Sequence, residues 1–239
     1  MHNTAMEFGR IFFETYAKEA QGRSIVDIGA QDVNGSLRSV APPNCKYTGV
    51  DFAVGKGVDV VITDPYSLPF EENSFDFCVS SSCLEHSEFF WLLFNEIMRI
   101  LKPNGVLFIN VPSNGNVHRY PVDCWRFYPD SGMALQNWGR RSGYKTILLE
   151  SFTGKQKGDV WNDFIAVFLK DERCAQEYSR KMRESVPDHA NGFVYGSPVV
   201  SNPSAWQEDQ KGHLNRKFRK DYMRKWIKAR IDRVLGRAE

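Results

Sequence analysis

The sequence lacks paired cysteines, although it is 239 residues long. Its five cysteines are scattered and form no C-x-x-C pair; they are Cys45, Cys78, Cys83, Cys124 and Cys174. An odd and scattered set excludes a disulfide framework or a zinc knuckle as the basis of the fold. We expect free thiols in a reducing compartment, in a chain that suits one large domain or one domain with an appendage.

The chain also lacks long apolar runs. No stretch reaches the roughly 20 apolar residues of a membrane-spanning helix, and the N-terminus lacks the segments of a signal peptide. These absences predict a cytoplasmic protein. The net charge is only +2, but residues 211–239 carry +8 and residues 1–210 carry −6, so the positive charge is concentrated in the C-terminal tail.

A glycine-rich dinucleotide motif is missing as well. No G-x-G-x-x-G follows the first apolar run, which argues against a nicotinamide enzyme. What is present is a β-branched run that stops at Asp27 and Gly29, the pattern of a buried strand that enters a tight turn, and residues 34–36 can open a helix after it. Ligands bind outside the carboxyl end of such a strand in open α/β sheets, although a simple turn is equally compatible with this stretch.

Strands and helices alternate along the first 170 residues. Apolar, β-branched runs predict strands at 24–28, 46–52, 58–62, 74–82, 106–112, 146–150 and 163–169. Apolar stripes with helical spacing predict helices at 4–20, 89–101 and 133–142. The alternation predicts an α/β fold with a doubly wound, mostly parallel sheet.

An acid follows the second predicted strand. Asp51 lies 24 residues after Asp27. In nucleotide-binding sheets an acid about 20 residues beyond the first turn reaches the ribose hydroxyls, and a carboxylate can accept both hydrogen bonds of a vicinal diol. An exposed acid at a strand end is the alternative.

Four motifs in order carry a family resemblance. They are VDIGA, GVD, ITDPYSLPFEENSFDFCVSSSCLEH and EIMRILKPNGVLFINVP. Together they resemble a class I S-adenosylmethionine-dependent methyltransferase of the small-molecule branch often called type 11, over residues 20–170. The resemblance implies a Rossmann-like sheet of seven strands with the last antiparallel, in a domain at 1–170. A helical extension at 171–239 would follow, with a charged helix at 172–184 and then a lid or linker.

The same resemblance implies S-adenosylmethionine as the cofactor and assigns its contacts. The residues are Asp27, Gly29 and Ala30 at the methionine part, Asp51 and Phe52 at the ribose and adenine, Asp64 and Pro65 at the adenine amine, and Ser81 and Ser82 at the methionine and the substrate mouth. One departure leaves the turn conformation open. Gln31, Asp32 and Val33 stand where the family usually has further glycines.

The segment 116–130 combines a histidine, arginines, an acid and aromatic rings where a loop usually carries small residues. Its pattern H-x-x-P-x-D-x-W-R-F resembles methyltransferases of polysaccharide and surface-glycan biosynthesis, and aromatic faces suit a sugar pocket. Substrate binding is therefore predicted for Arg119, Tyr120, Trp125 and Arg126. As alternatives, Trp125 packs the loop onto the core and Arg126 pairs with a carboxylate.

Transfer of a methyl group to a hydroxyl requires a base, and two histidines are candidates. His118 is the first, because its ordinary pKa lies near neutral pH, with Asp123 orienting it or binding the acceptor; His86 is the second. A hydrogen-bonded loop residue is the alternative for His118. Glu85 and His86 are adjacent, but no third ligand has a recognisable spacing, so no metal site is predicted.

The expected function is O-methylation of a saccharide or sugar-containing acceptor in surface polysaccharide biosynthesis. Methylation of another small molecule, such as a quinone-like or amine acceptor, is the alternative within enzymes. A cofactor-binding scaffold without turnover, with a basic recruiting tail, is the alternative outside them.

The tail at 213–238 combines an apolar helical stripe with a basic face. Packing on its own domain or on a second subunit, as in a homodimer, is the first interpretation. Peripheral contact with the anionic inner face of a membrane is the second. Nucleic-acid binding is the least favoured, because the basic residues lack a recognisable nucleic-acid module.

Overall fold

The computed structural model describes residues 3–18, 21–157, 160–205 and 223–228. Its strands are β1 (Ser24–Ile28), β2 (Lys46–Asp51), β3 (Val60–Val61), β4 (Phe75–Ser81), β5 (Leu101–Pro112), β6 (Ile147–Thr153), β7 (Asp163–Leu169) and β8 (Ala190–Val194). Its main helices are α1 (Asn3–Tyr16), α2 (Phe90–Ile100) and α3 (Ser131–Arg141). Across the described residues, no helix combines the length and the apolar character needed to cross a membrane.

All of these strands belong to one sheet, in the order β3-β2-β1-β4-β5-β7-β6-β8. Strands β1 to β5 are parallel, whereas β7 runs antiparallel to β5 and β6, and β8 runs antiparallel to β6. The chain changes direction across the sheet between β1 and β4, which opens a crevice at their carboxyl ends. The prediction of a mostly parallel, Rossmann-like α/β sheet is confirmed.

The sheet has eight strands where seven were expected. Strand β8 lies in the segment predicted to be a lid or linker and pairs with β6. Its sequence ANGFV buries only Phe193, so it has none of the alternation that indicates a strand. The helix expected at 172–184 is instead two short 3₁₀ helices, Glu172–Glu177 and Met182–Ser185.

The predicted tail helix falls mostly outside the described residues. Of its residues 213–238, the structure describes 223–228, which are helical and largely exposed. Its role as a packing, membrane or partner surface stays a prediction.

The sheet is covered on both faces by aromatic and aliphatic side chains. On one face Phe12 of α1 stacks on Phe108 of β5, with ring centroids 4.8 Å apart. On the other face Phe94 of α2 meets Phe168 of β7 edge to face at 5.0 Å. Each fully buried side chain of this kind stabilises the fold by about 1.5–3 kcal/mol relative to an exposed one.

Helix α1 covers the sheet where a helix after β1 was expected. The chain after β1 forms only a short 3₁₀ helix, Leu37–Val40, which Ser36 caps by accepting a hydrogen bond from the Arg38 backbone. Helix α1 packs on it closely, because a Cβ at Gly9 would overlap the Leu37 side chain.

A buried carboxylate joins α1 to the segment after β7. Glu150 of β6 accepts hydrogen bonds from the Tyr16 hydroxyl at 2.6 Å, from the Met182 backbone at 2.7 Å and from the Arg183 backbone at 3.1 Å. Each donor offsets part of the cost of burying the carboxylate. The three bonds therefore fix the helix and the later segment to the same strand.

We expect Tyr16→Phe to lower the free energy of unfolding by about 1–3 kcal/mol, because it removes one donor from a buried carboxylate and leaves the ring in place. Urea denaturation measures the change. Tyr195→Phe, at an exposed tyrosine, is the matched control and should stay within about 0.5 kcal/mol of the wild type. Equal losses in the two variants would contradict the role assigned to Glu150.

Candidate functional site

A cavity of about 570 Å³ opens at the carboxyl ends of β1, β2 and β4. This volume is in the range of small-molecule sites. Among the predicted cofactor residues, those that line it are Gly29, Asp51, Phe52, Pro65, Ser81 and Ser82. Among the predicted catalytic and substrate residues, those that line it are His86, His118, Arg119 and Tyr120. One cavity thus brings the strand-end residues together with both histidines.

The turn after β1 depends on Gly29. Its φ is +84°, and a Cβ there would lie 2.6 Å from the Cβ of Cys83. Only glycine combines this left-handed conformation with such a close approach. The Gly29 and Ala30 backbone N–H groups donate to the Val50 carbonyl, which fixes the turn against β2.

The loop that departs from the family pattern is held by a side chain instead of by glycines. Asp32 accepts a hydrogen bond from the Gly35 backbone at 2.8 Å and pairs with Lys56 at 2.6 Å. These contacts lower the pKa of Asp32. Gln31 and Val33 on either side of it line the cavity.

Asp51 and Phe52 form one part of the cavity wall. Asp51 is buried, and its carboxylate accepts hydrogen bonds from the Gln31 and Ala53 backbones at 3.1 and 3.3 Å. A carboxylate has about four acceptor positions, so capacity remains for a ligand hydroxyl. Phe52 follows it with 59% of its surface exposed, which leaves the ring available for an apolar or aromatic ligand face.

Three of the predicted cofactor residues do not line the cavity. Asp27 is buried behind the turn and accepts the Tyr47 hydroxyl at 2.7 Å. Ala30 is buried as well. Asp64 is exposed and accepts from the Tyr66 backbone at 2.8 Å, as a turn residue does. Direct cofactor contact by these three residues stays a prediction.

His118 and His86 meet at the other end of the cavity, with ring centroids 5.0 Å apart and nearly perpendicular planes. The His118 backbone donates to Asp123 at 2.7 Å, and its Nδ1 lies 3.4 Å from the same carboxylate. Two hydrogen bonds from Arg126, at 2.6 and 2.8 Å, hold the pKa of Asp123 well below its usual range. Asp123 therefore positions the loop of His118 without lining the cavity itself.

Glu85 is a residue whose importance sequence reasoning missed. Its side chain is 1% exposed, and in the described part of the chain neither carboxylate oxygen has a hydrogen-bond partner. Burial raises the pKa of Glu85 to about 8. Oε1 lies 3.7 Å from His86 Nε2, and burial lowers the pKa of His86. The adjacency of Glu85 and His86 was the available signal.

Backbone hydrogen bonds hold the loop of His118 against Glu85. The Glu85 carbonyl accepts from the Cys124 and Trp125 backbones at 2.8 and 3.2 Å. The His86 ring bonds through Nδ1 to the Val122 carbonyl. These contacts bring together groups that are 33 residues apart in the sequence.

Trp125 and Arg126 do not line the cavity. The Trp125 ring packs at 5.3 Å from Phe90 and 5.9 Å from Trp91, and its Nε1 donates to the Ser87 carbonyl. Arg126 bonds to Asp123, as above. These placements agree with the alternatives of loop packing and carboxylate pairing, and substrate contact by either residue stays a prediction.

Trp161 and Asp163 line the cavity although no motif indicated them. They enter because β7 starts opposite the end of β5, with Asp163 paired to Pro112. Gly115 makes room for the aromatic ring, since a Cβ at that position would overlap Trp161. The antiparallel placement of β7 was the signal that could have found them.

The chain has a Rossmann-like methyltransferase fold. Three features define it: the sheet order, the antiparallel β7 and the cavity at the strand ends. The chain is similar to 1,6-didemethyltoxoflavin-N1-methyltransferase of Burkholderia thailandensis, solved with 1,6-didemethyltoxoflavin and S-adenosylhomocysteine bound. The TM-score is 0.55 and the sequence identity is 16%. The alignment covers 70% of this chain and 79% of that chain. The 4+2 cyclase SpnF is similar too, with a TM-score of 0.51 and 16% identity. The alignment covers 70% of this chain and 81% of that chain. Likeness at this level shows the fold alone.

Sequence comparison finds methyltransferases similar to part of this chain. Residues 22–109 match the family model of a methyltransferase domain. An uncharacterised methyltransferase of Mycobacterium tuberculosis is 26% identical over 118 residues, 45% of this chain and 46% of that protein. Demethylmenaquinone methyltransferase of Staphylococcus aureus is 31% identical over 101 residues. The aligned part is 36% of this chain and 42% of that protein. These matches span less than half of the curated relatives, and they show that residues 22–109 are similar to a methyltransferase domain.

The raised pKa of Asp27 predicts that the free energy of unfolding depends on pH. Burial raises the pKa of Asp27 to about 7, above the value of about 3.9 in an unfolded chain. The folded state therefore holds this proton more tightly, so the stability it contributes is complete below about pH 4 and is lost as pH rises towards 7. Asp27→Asn should remove this loss, so that the variant gains stability relative to the wild type across that range.

Urea denaturation between pH 4 and 8 measures this gain, which should approach on the order of 1.4 kcal/mol for each pH unit in the window. Asp188→Asn, which makes the same change at an exposed acid, is the control for the loss of a carboxylate. A pH-independent difference for Asp27→Asn would show that its carboxyl is ionised throughout.

Proposed function

We propose that the protein is an S-adenosylmethionine-dependent O-methyltransferase that acts on a saccharide or sugar-containing acceptor in surface polysaccharide biosynthesis. The observation that carries the proposal is one cavity with strand-end cofactor residues on one side and paired histidines on the other. The methyltransferase-domain match over residues 22–109 supports the reaction class.

The chemistry of the cavity wall fits the cofactor. Asp51 offers acceptor positions for ribose hydroxyls, and the exposed Phe52 ring offers a face for adenine. Ser81 has a buried hydroxyl that lacks a hydrogen-bond partner among the described residues. Such an atom is costly unless a ligand bonds to it. When bound, the cofactor would supply a sulfonium methyl group, whose transfer to a hydroxyl breaks the C–S bond, forms a C–O bond and releases a proton.

His118 is the residue proposed to take up that proton. Its side chain is 37% exposed and faces the cavity, so an acceptor hydroxyl can reach it. The Asn116 carbonyl and Asp123 lie 3.2 and 3.4 Å from Nδ1, and Arg126 Nη2 lies 3.4 Å from it. The two acceptors favour a proton on Nδ1 and a lone pair on Nε2. Asp123 then orients the ring, and it also stabilises the charge that the ring gains.

The acceptor side of the cavity supports a polar ligand with apolar faces. Tyr120 and Trp161 provide aromatic rings, and Arg119 provides a charged donor, on the same rim as the histidines. Rings stack on the C–H faces of sugars while polar groups bind the hydroxyls. A quinol acceptor is the second candidate, favoured by the 31% identity to a demethylmenaquinone methyltransferase.

Cofactor binding is tested with Asp51→Asn. We expect S-adenosylhomocysteine to bind the wild type, and the variant to bind at least about tenfold more weakly, because a charged acceptor of two hydroxyls is worth about 1.5–3 kcal/mol per bond. Isothermal calorimetry measures both affinities. Asp188→Asn should retain the wild-type affinity, and absence of binding to the wild type would overturn the proposed function.

Turnover is tested by transfer of labelled methyl from S-adenosylmethionine to a panel of saccharides, quinols and amines. Label in the saccharide hydroxyls supports the proposed acceptor, and label only in a quinol or an amine replaces it. Label in none of them, with the cofactor bound, supports the scaffold interpretation.

With the acceptor that the wild type methylates, His118→Ala should lose at least about 100-fold in rate while binding S-adenosylhomocysteine normally. A rate near that of the wild type would reject His118.

A further inference from the structure

We propose that Glu85, His86 and His118 form a binding site for one divalent transition-metal cation of the Zn²⁺ class, at the acceptor end of the cavity. One ligand atom from each residue lies within 4.8 Å of the other two. All three residues line the cavity. Two histidines and one carboxylate are a ligand set that proteins use for such cations when further coordination positions stay open.

The carboxylate of Glu85 is the strongest indication of a missing ligand. It is almost completely buried, and neither oxygen has a hydrogen-bond partner among the described residues. A buried, unpartnered carboxylate costs several kcal/mol unless it is neutralised or coordinated. The buried carboxylate of Glu150, by contrast, has three hydrogen-bond donors.

His86 is prepared as a ligand by its second nitrogen. The Val122 carbonyl can only accept a hydrogen bond, so Nδ1 carries the proton and Nε2 carries the lone pair. That Nε2 is the atom that lies 3.7 Å from Glu85 Oε1. A histidine ligand with its other N–H on a backbone carbonyl is the usual outer arrangement of protein metal sites.

His118 has the corresponding arrangement. Its Nδ1 lies 3.2 Å from the Asn116 carbonyl and 3.4 Å from the Asp123 carboxylate, and Arg126 Nη2 lies 3.4 Å from the same nitrogen. The two acceptors favour a proton on Nδ1, which places the lone pair on Nε2. Asp123 is in turn fixed by Arg126. Both histidines therefore have a partner that holds the ring and the tautomer.

The three ligand atoms would have to move only a short distance to coordinate one cation. Bonds of about 2.0–2.1 Å in a tetrahedral site hold ligand atoms about 3.3 Å apart. The Glu85–His86 pair, at 3.7 Å, is already close to that separation. The remaining movement is a shift of the His118 ring, whose side chain is 37% exposed, towards the other two ligand atoms.

The role of the cation rests on the proposed function, whereas the site itself does not. A cation on these ligands has its open positions in the cavity, where an acceptor hydroxyl oxygen would bind and become more acidic. The hydroxyl proton then passes to solvent. A lone pair of His118 that binds a cation cannot accept a proton, so base and ligand are alternative roles for this residue.

The test is a titration of the tag-free protein with Co²⁺, followed by the visible d–d bands that report coordination geometry. We expect one ion per chain, with bands of a nitrogen and oxygen site and without the near-ultraviolet charge-transfer band of a thiolate. Glu85→Gln and His118→Gln should bind at least about tenfold more weakly. Glu85→Gln keeps the shape of the side chain and removes only its charge, and thermal melting confirms that each variant is folded.

The matched control is Glu88→Gln, which makes the same change at an exposed residue of the same cavity rim and should leave the Co²⁺ affinity unchanged. Binding of Co²⁺ by Glu85→Gln and His118→Gln with wild-type affinity, or thiolate bands in the wild type, would overturn the site. Absence of binding would overturn it too.

Two further measurements separate this inference from the proposed function. S-adenosylhomocysteine affinity is measured on metal-free protein, so loss of cofactor binding with an intact Co²⁺ site refutes only the proposed function. Once an acceptor is found, turnover is measured before and after chelation and with Zn²⁺ restored. A chelator-sensitive rate supports the catalytic role of the cation, and an unchanged rate assigns the proton to His118 and refutes that role.

Discussion

The close approach of Gly29 to Cys83 is the constraint on which the site depends. Without a Cβ at Gly29, the turn after β1 lies against the segment that follows β4. Asp51 and Phe52, placed by the neighbouring β2, then share one cavity with Glu85 and His86. Any larger residue at Gly29 would separate these two groups, because its side chain would overlap Cys83 and its backbone conformation would be strained.

A second constraint places the acceptor side. The Glu85 carbonyl accepts two backbone hydrogen bonds from the loop after β5, and His86 bonds to Val122 of the same loop. Trp125 adds packing against α2. The loop therefore presents His118 to the cavity although its own sequence is rich in large side chains. Its aromatic and charged residues divide into those that anchor the loop and those that line the cavity.

The parallel part of the fold could be predicted from the sequence, because β1, β4 and β5 contain apolar runs and the strand patterns alternate with turn or helix signals. Strand β8 could not, because its sequence ANGFV has no alternating apolar pattern and its place in the sheet depends on pairing with β6. The positions of Asp51 and Phe52 on the cavity wall were predictable, since they lie at the carboxyl end of β2. His86 and His118 were candidates from the sequence, and Glu85 is adjacent to His86. The approach of His118 to this pair was not predictable, because it depends on how the loop after β5 folds back.

The central claim is that one cavity holds the cofactor beside the paired histidines. A crystal structure of the protein with S-adenosylhomocysteine tests it most directly. The account predicts the ribose hydroxyls on the Asp51 carboxylate and the sulfur directed towards the end of the cavity that contains His86 and His118. A product bound elsewhere, or with its sulfur turned away from the histidines, would contradict it.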